Sequence, residues 1–139
     1  MTPVIPLRKL GLELGIPHLY MKDEGLLPTG TFKARGATVG ASRARELGVQ
    51  VLAMPTNGNA GAAWAAYCQA AEIRAVVVMP TDSPTINQKE CTITGASLYL
   101  VNGGIGDAGQ LVTRAVEEFG WYNASTLREP YRIEGKKTM

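Results

Sequence analysis

The sequence contains only two cysteines, Cys68 and Cys91, and a single histidine, His18. Two cysteines are too few for the disulfide network that holds a small secreted domain together. We therefore predict reduced thiols and a cytoplasmic protein, with Cys68 in the core and Cys91 partly exposed. A lone histidine without neighbouring cysteines or carboxylates does not make a metal site, so no metal is expected.

Long apolar runs and an excess of charge are also missing. No run approaches the ~20 apolar residues of a membrane-spanning helix, and Met1–Pro6 resembles neither a secretory signal nor a transit peptide. The formal net charge of +2 is too small to indicate binding to nucleic acid or to an acidic membrane surface. Nucleic acid and membranes are therefore not expected as partners.

The residues that are present indicate one folded domain. Hydrophobic residues make up 45% of the chain and charged residues 19%, which excludes a disordered chain. A length of 139 residues suits a single domain of ordinary size.

Apolar runs alternate with helix-favouring stretches along the chain. The predicted strands are Leu19–Lys22, Val49–Met54, Ala75–Met79, Ser97–Val101 and Trp121–Ala124. The predicted helices cover residues 31–47, 60–72, 84–94 and 107–119. Such alternation gives right-handed crossovers between parallel strands. The sequence therefore predicts an α/β fold, an open three-layer sandwich in which a parallel sheet of about four strands is flanked by helices.

Lys33 is the first candidate for chemistry, because it falls in the first turn of the predicted helix 31–47. The amino-terminal end of a helix carries a positive partial charge, which should lower the pKa of a lysine there. A neutral amine is a nucleophile. The alternative, and the commoner role for a lysine at such a position, is a solvated surface residue.

Two loops between a predicted strand and a helix could bind an anion or a nucleotide. The free backbone amides at the end of Pro55–Gly61 can bind a carboxylate or phosphate, although a plain turn is the alternative. Gly104–Gly109 has the spacing of a dinucleotide fingerprint, but the next strand does not end in the acidic residue that would hold a ribose. A helix start capped by Asp107 is the favoured interpretation of the second loop.

Three segments together resemble a known enzyme family. KDEGLLPTGTFKAR, residues Lys22–Arg35, resembles the lysine segment of threonine synthases, which belong to the tryptophan-synthase-β-like, fold type II group of pyridoxal-phosphate enzymes. PTNGNAG, residues Pro55–Gly61, resembles the asparagine loop of that group, and RIEGKKT, residues Arg132–Thr138, resembles a later segment of threonine synthases. The resemblance extends over nearly the whole chain.

The resemblance implies pyridoxal phosphate as the cofactor and assigns roles to individual residues. Lys33 matches the lysine that forms a Schiff base with the cofactor and later moves protons on the substrate carbons. Phe32 matches the residue packed beside the cofactor, and Asn59 matches the side chain that bonds the ring hydroxyl.

The implied substrate is an amino acid. The loop that grips its carboxylate corresponds to Thr56, Asn57 and Gly58. Arg132 matches the candidate for holding the phosphate of phosphohomoserine, from which threonine synthases eliminate phosphate before adding water. Ala60 stands where many threonine synthases have threonine, and Glu129 places a negative charge near Arg132. A serine or threonine dehydratase-like lyase therefore remains an alternative.

The resemblance also implies a longer enzyme. Its members hold the cofactor phosphate with a glycine-rich loop, and place a hydroxyl beside the pyridine nitrogen, in a second domain; these 139 residues contain neither. We expect residues 1–30 to form an arm whose strand pairs with that domain, residues 31–125 to form the small α/β domain carrying the lysine, and residues 126–139 to form a tail leading to the second domain. The isolated chain should be inactive and bind the cofactor weakly.

Other functions and assembly states are open at this stage. A catalytically silent module that binds itself or a full-length homologue is one alternative, and a nucleotide-binding domain is another. The strand Leu19–Lys22 should have unpaired backbone groups, and Leu26, Leu27 and Ile133 should be exposed beside it. Such a surface favours self-association, so a homo-oligomer is expected.

Overall fold

A parallel sheet of four strands forms the centre of the computed structural model, which describes residues 1–139. The strands are β3 (Val51–Pro55), β4 (Arg74–Pro80), β5 (Ser97–Val101) and β6 (Tyr122–Asn123). They lie in the order β5-β4-β3-β6, and every neighbouring pair is parallel. The predicted number and direction of strands are confirmed, although the last strand is two residues shorter than predicted.

Helices cover both faces of this sheet. The helices are α2 (Lys33–Glu46), α3 (Asn59–Ala70), α4 (Thr85–Ile93) and α5 (Ile105–Phe119). Buried side chains of α2, α3 and α4 share one core cluster, whereas α5 contributes to a second cluster on the opposite face. The three-layer α/β architecture is therefore confirmed. None of the helices is both long and apolar enough to cross a membrane.

Strand β4 is buried on both sides. Val77 and Met79 belong to the larger cluster, and Val76 and Val78 belong to the cluster against α5. Each such side chain stabilises the fold by roughly 1.5–3 kcal/mol. This double burial explains why the strand is a continuous apolar run rather than an alternating pattern.

Three short elements were not predicted from the sequence. They are β1 (Val4–Pro6), α1 (Arg8–Glu13) and α6 (Tyr131–Lys136). Strand β2 (Tyr20–Lys22) pairs with β1 in an antiparallel ribbon. The prediction that this segment is unpaired is wrong, because the first residues of the chain fold back against it. The prediction of a partly exposed Cys91 is also wrong, since α4 buries it completely in the core.

Helix α6 crosses α2 at two glycines. A Cβ atom at Gly36 would lie 2.8 Å from the carbonyl oxygen of Arg132, and one at Gly135 would overlap the carbonyl oxygen of Arg35. The two backbones can therefore touch only because both positions lack a side chain. The contact brings α6 against the start of α2, where Lys33 lies.

The side chain of Arg35 joins distant parts of the chain. Its Nε donates to Glu24 Oε2 at 2.5 Å, and its Nη1 donates to the backbone oxygen of Thr138 at 2.7 Å. Its Nη2 donates to Thr2 Oγ1 at 3.1 Å. The hydrogen bond from Arg35 lowers the pKa of Glu24 to about 2, with a smaller contribution from Thr2. Residues near both ends of the chain are thus held at the first turns of α2.

We predict that Gly135→Ala destabilises the fold. The new methyl group would meet the backbone of Arg35, which cannot rotate away. Overpacking commonly costs 1–3 kcal/mol, so we expect a loss of about 3 kcal/mol in the free energy of unfolding by urea denaturation. Gly109→Ala is the matched control, because a Cβ there meets no atom within 4 Å and α5 should gain up to about 1 kcal/mol. Equal stability of Gly135→Ala and the parent chain would contradict the close crossing.

Self-association through the apolar surface near the lysine loop stays a prediction. Leu26 and Ile133 are exposed, and Leu27 is half-buried. Light scattering over a range of concentrations should show a mass that rises with concentration, and the variant Leu26→Ser with Ile133→Ser should shift the chain toward monomer because it removes apolar surface. A parent chain that stays monomeric at millimolar concentration would refute the prediction.

Candidate active site at the switch point of the sheet

The strand order creates a crevice beside the carboxyl end of β3. The helix that follows β3 packs on one face of the sheet, whereas α5, which leads into the neighbouring strand β6, packs on the other. Ligands of open α/β sheets bind at such switch points. A cleft of about 190 Å³ lies there, and its lining includes Lys33, Thr56, Asn57, Gly58, Asn59 and Arg132. Six of the seven predicted site residues are therefore brought together.

Lys33 lies at the first position of α2, where the end of the lysine loop orients it. The Oγ1 atom of Thr31 accepts a hydrogen bond from the backbone amide of Lys33 at 3.3 Å. The seventh predicted residue, Phe32, does not line the cleft, but the centre of its ring lies 4.7 Å from Lys33 Nζ. The side chain of Lys33 is half-buried.

The environment lowers the pKa of Lys33. Burial is the largest cause, and the positive charges of Lys136 and Arg132 on α6 add to it. A larger share of the amine is therefore neutral near physiological pH, which is the state that acts as a nucleophile or as a base. The direction agrees with the sequence prediction, but burial and the charges on α6 are causes that the prediction, based on the start of the helix, did not include.

The loop after β3 offers free donors to an anion. Thr56 is buried, and its Oγ1 accepts from the amide of Gly58 at 3.2 Å, which fixes the turn. The amides of Asn57, Asn59 and Ala60 donate to no acceptor in the protein. These amides lie at the amino-terminal end of α3, where the helix dipole also favours negative charge.

Asn59 is held by a residue that sequence analysis missed. The Nδ2 atom of Asn87 donates to Asn59 Oδ1 at 2.7 Å and to Glu90 Oε2 at 3.1 Å. Asn87 is buried, whereas Asn59 is exposed and its own Nδ2 has no acceptor in the protein. A polar residue in an otherwise helical stretch carried too little signal for Asn87 to be recognised from the sequence.

Arg132 brings a buried positive charge to the cleft. Only 4% of the residue is exposed, and its Nη1 donates to the backbone oxygen of Ala124 at 2.8 Å. Its Nε is buried without any partner. Burial lowers the pKa of Arg132, and Glu129 partly offsets this effect. A buried guanidinium with an unused donor is suited to bind an anion.

The carboxylate of Glu129 forms no hydrogen bond with the guanidinium of Arg132. It accepts from the backbone amides of Tyr131 at 3.0 Å and Arg132 at 2.6 Å, and from Tyr122 Oη at 3.1 Å. The negative charge thus satisfies the first amides of α6, as a helix cap does. The guanidinium of Arg132 keeps its remaining donors for another acceptor.

The glycine-rich loop after β5 is a helix start. Asp107 Oδ2 accepts from the backbone amide of Gly104 at 2.7 Å, which caps α5. This is the interpretation that the sequence favoured over a dinucleotide site.

All 139 residues match the family described as pyridoxal-phosphate dependent enzyme. The chain belongs to this family. It is 37% identical over 139 residues to the threonine synthase of Methanocaldococcus jannaschii, a match that covers 99% of this chain and 34% of that protein. A second threonine synthase, from Methanosarcina acetivorans, is also 37% identical over 139 residues, with coverages of 99% and 34%. The chain spans about a third of the length of these relatives.

Solved structures agree with this family assignment. A pyridoxal 5'-phosphate-dependent aspartate racemase superposes with a TM-score of 0.89 at 25% identity, covering 99% of this chain and 43% of that one. The resemblance drawn from the lysine segment is therefore confirmed, as is pyridoxal phosphate as the cofactor of the family.

We predict that Lys136→Ala raises the pKa of Lys33. Removing a nearby positive charge makes the protonated amine less unfavourable, so the pH midpoint for labelling Lys33 with an amine-reactive reagent should move upward. Peptide mass spectrometry measures this midpoint. Lys137→Ala is the matched control, because Lys137 pairs with Glu134 at 2.7 Å and should leave the midpoint unchanged. An unchanged midpoint in Lys136→Ala would show that α6 does not tune the amine.

Proposed function

We propose that this chain is the lysine-bearing part of a threonine-synthase-like enzyme that converts phosphohomoserine to threonine with pyridoxal phosphate. The observation that carries the proposal is a single cleft lined by Lys33, Asn59 and the buried Arg132. The pKa of Lys33 is lowered there. The threonine synthases that are 37% identical support the choice of reaction.

The residues of the cleft fit pyridoxal phosphate. An amine with a lowered pKa is suited to react with the aldehyde of the cofactor. The free Nδ2 of Asn59 is suited to donate a hydrogen bond to the oxygen of the cofactor's ring hydroxyl. When bound, the cofactor supplies an electron sink that stabilises negative charge on the substrate carbons.

Lys33 would hold and transfer the protons of the reaction. Among the residues that line the cleft, it is the only one able to take up a proton near neutral pH, since the other basic group is the guanidinium of Arg132. A general base works best when its pKa lies near the operating pH. The lowering of the Lys33 pKa by burial and by α6 moves the amine toward that condition.

Two anion-binding groups flank the lysine in this proposal. The free amides of Asn57, Asn59 and Ala60 would bind the substrate carboxylate at the start of α3. Arg132 would hold the substrate phosphate, and the engagement of Glu129 by backbone amides leaves the arginine available. The substrate carbons would then lie between the two groups and beside Lys33.

A serine or threonine dehydratase-like lyase is the second candidate. Ala60 lines the cleft and offers no hydroxyl at a position where many threonine synthases have threonine. A lyase that acts on an unphosphorylated hydroxyl amino acid would use the same lysine and the same carboxylate loop.

Cofactor binding to this 139-residue chain tests the proposal. We expect weak, reversible binding, because both anion-binding groups of the cleft, the amides at the start of α3 and Arg132, are assigned to the substrate, and no further group is left for the cofactor phosphate. Absorbance titration with pyridoxal phosphate should give a band near the visible edge, and borohydride reduction should leave a pyridoxyl mass on the peptide containing Lys33.

The matched variants make this experiment decisive. Lys33→Ala should abolish the band and the labelled peptide, whereas Lys137→Ala should retain both. A band that persists in Lys33→Ala would contradict the site, and submicromolar affinity would reveal an unrecognised phosphate site. Adding phosphohomoserine or L-serine to the loaded chain separates the two candidates, since only the compound that the cleft recognises should change the spectrum.

A further inference from the structure

We propose that Asn87 and Glu90 together set the orientation of the Asn59 side chain, so that Asn59 presents its NH2 group and not its carbonyl oxygen to the cofactor. This inference rests on the proposed function, because the group that accepts from Asn59 is the oxygen of the ring hydroxyl of pyridoxal phosphate. Neither Asn87 nor Glu90 lines the cleft, so both are positioning residues.

Glu90 determines which end of the Asn87 amide faces it. A carboxylate can only accept hydrogen bonds, and Glu90 Oε2 lies 3.1 Å from Asn87 Nδ2. The nitrogen end of Asn87 must therefore point toward Glu90, because the reversed amide would place two acceptors against each other. The carboxylate thus removes the ambiguity between the oxygen and nitrogen atoms of the amide.

The orientation of the Asn87 amide in turn fixes the orientation of the Asn59 amide. The NH2 group of Asn87 has a second hydrogen, which it donates to Asn59 Oδ1 at 2.7 Å. With its oxygen occupied in this way, Asn59 turns its own NH2 group away from Asn87. The hydrogen bonds therefore connect the Glu90 carboxylate to the NH2 group of Asn87, and this NH2 group to Oδ1 of Asn59. The NH2 group of Asn59 is left free to donate.

Asn87 has the rigidity that this role requires. It is 6% exposed, and its backbone amide donates to the oxygen of Pro84 at 3.0 Å in the first turn of α4. Its Oδ1 lies near the loop after β3, since a Cβ at Gly58 would be 3.8 Å away. Asn59 by contrast is exposed and, without Asn87, its amide could turn over freely.

The direction of the Asn59 amide has a chemical consequence. An NH2 group stabilises negative charge on the ring oxygen, whereas a carbonyl oxygen in its place would repel that charge. A dipole fixed before the cofactor arrives needs no reorganisation on binding. Losing a hydrogen bond to a charged acceptor typically changes affinity by tenfold or more.

The test measures pyridoxal phosphate affinity of the 139-residue chain by absorbance titration, together with the pH midpoint of the bound cofactor's absorbance. Asn87→Leu should weaken binding about tenfold. Asn87→Asp and Glu90→Gln should shift the pH midpoint of the cofactor absorbance, because both disturb the hydrogen bonds that connect Glu90, Asn87 and Asn59. Thr94→Val is the control, since Thr94 bonds the backbone of the same helix and its loss should lower stability without changing affinity.

The same substitutions in an Asn59→Ala background separate positioning from a purely structural role. If Asn87 acts through Asn59, then Asn87→Leu should have no further effect on affinity once the Asn59 amide is absent. An equal loss in both backgrounds would overturn the inference, as would parent-like affinity of Asn87→Leu.

A readout without cofactor adds to the test. In NMR spectra of the free chain, the side-chain amide protons of Asn87 should exchange slowly with solvent, and Asn87→Leu should alter the side-chain amide resonances of Asn59. Parent-like Asn59 resonances in Asn87→Leu would overturn the inference. If the parent chain takes up pyridoxal phosphate at Lys33 but the Asn87 variants bind it equally well, only this inference fails. If the parent chain forms no adduct at Lys33, the proposed function fails and the inference falls with it.

Discussion

The candidate site depends on the backbone contact between α2 and α6 at Gly36 and Gly135. Because neither glycine has a side chain, α6 can lie directly on the first turns of the helix that begins with Lys33. Burial is the largest cause of the lowered pKa of that lysine, and this contact adds to it by bringing the charges of Lys136 and Arg132 close. The pKa of the amine therefore depends in part on how closely the two helices pack, and not on the lysine loop alone.

The sheet and its flanking helices could be predicted because their signals are local. Val51–Pro55 and Arg74–Pro80 are apolar runs bounded by turns, and such runs are typical of strands that are covered on both faces. Ser97–Val101 is also an apolar run, but it lies at the edge of the sheet, where Tyr99 and Leu100 are exposed. Helix α2 leads into the start of β3 and α3 follows the end of β3, so the first residues of both helices, Lys33 and Asn59, lie near the carboxyl edge of the sheet. That much of the site follows from topology, and both residues line one cleft.

The remaining features depend on contacts between residues far apart in the chain. Helix α6 has only six residues, and its packing against α2 comes from a glycine pair separated by almost the whole domain. Glu129 looked unfavourable beside Arg132 in the sequence, because nothing there shows that the carboxylate accepts from backbone amides. Asn87 is 28 positions from Asn59, and their contact exists only because two successive helices pack side by side.

The hydrogen bonds of Arg35 have a consequence for how this unit can be connected to other polypeptide. One guanidinium reaches both Thr2 and Thr138, so these two residues, far apart in the sequence, lie within the span of a single side chain. A unit whose ends are neighbours can be placed within a surface loop of another domain without separating the two sides of that loop. The hydrogen bond from Arg35 lowers the pKa of Glu24 to about 2, so the carboxylate stays ionised at neutral pH and also binds the guanidinium. Arg35 thus holds residues near both ends of the chain together beside the start of α2, the helix that begins with Lys33.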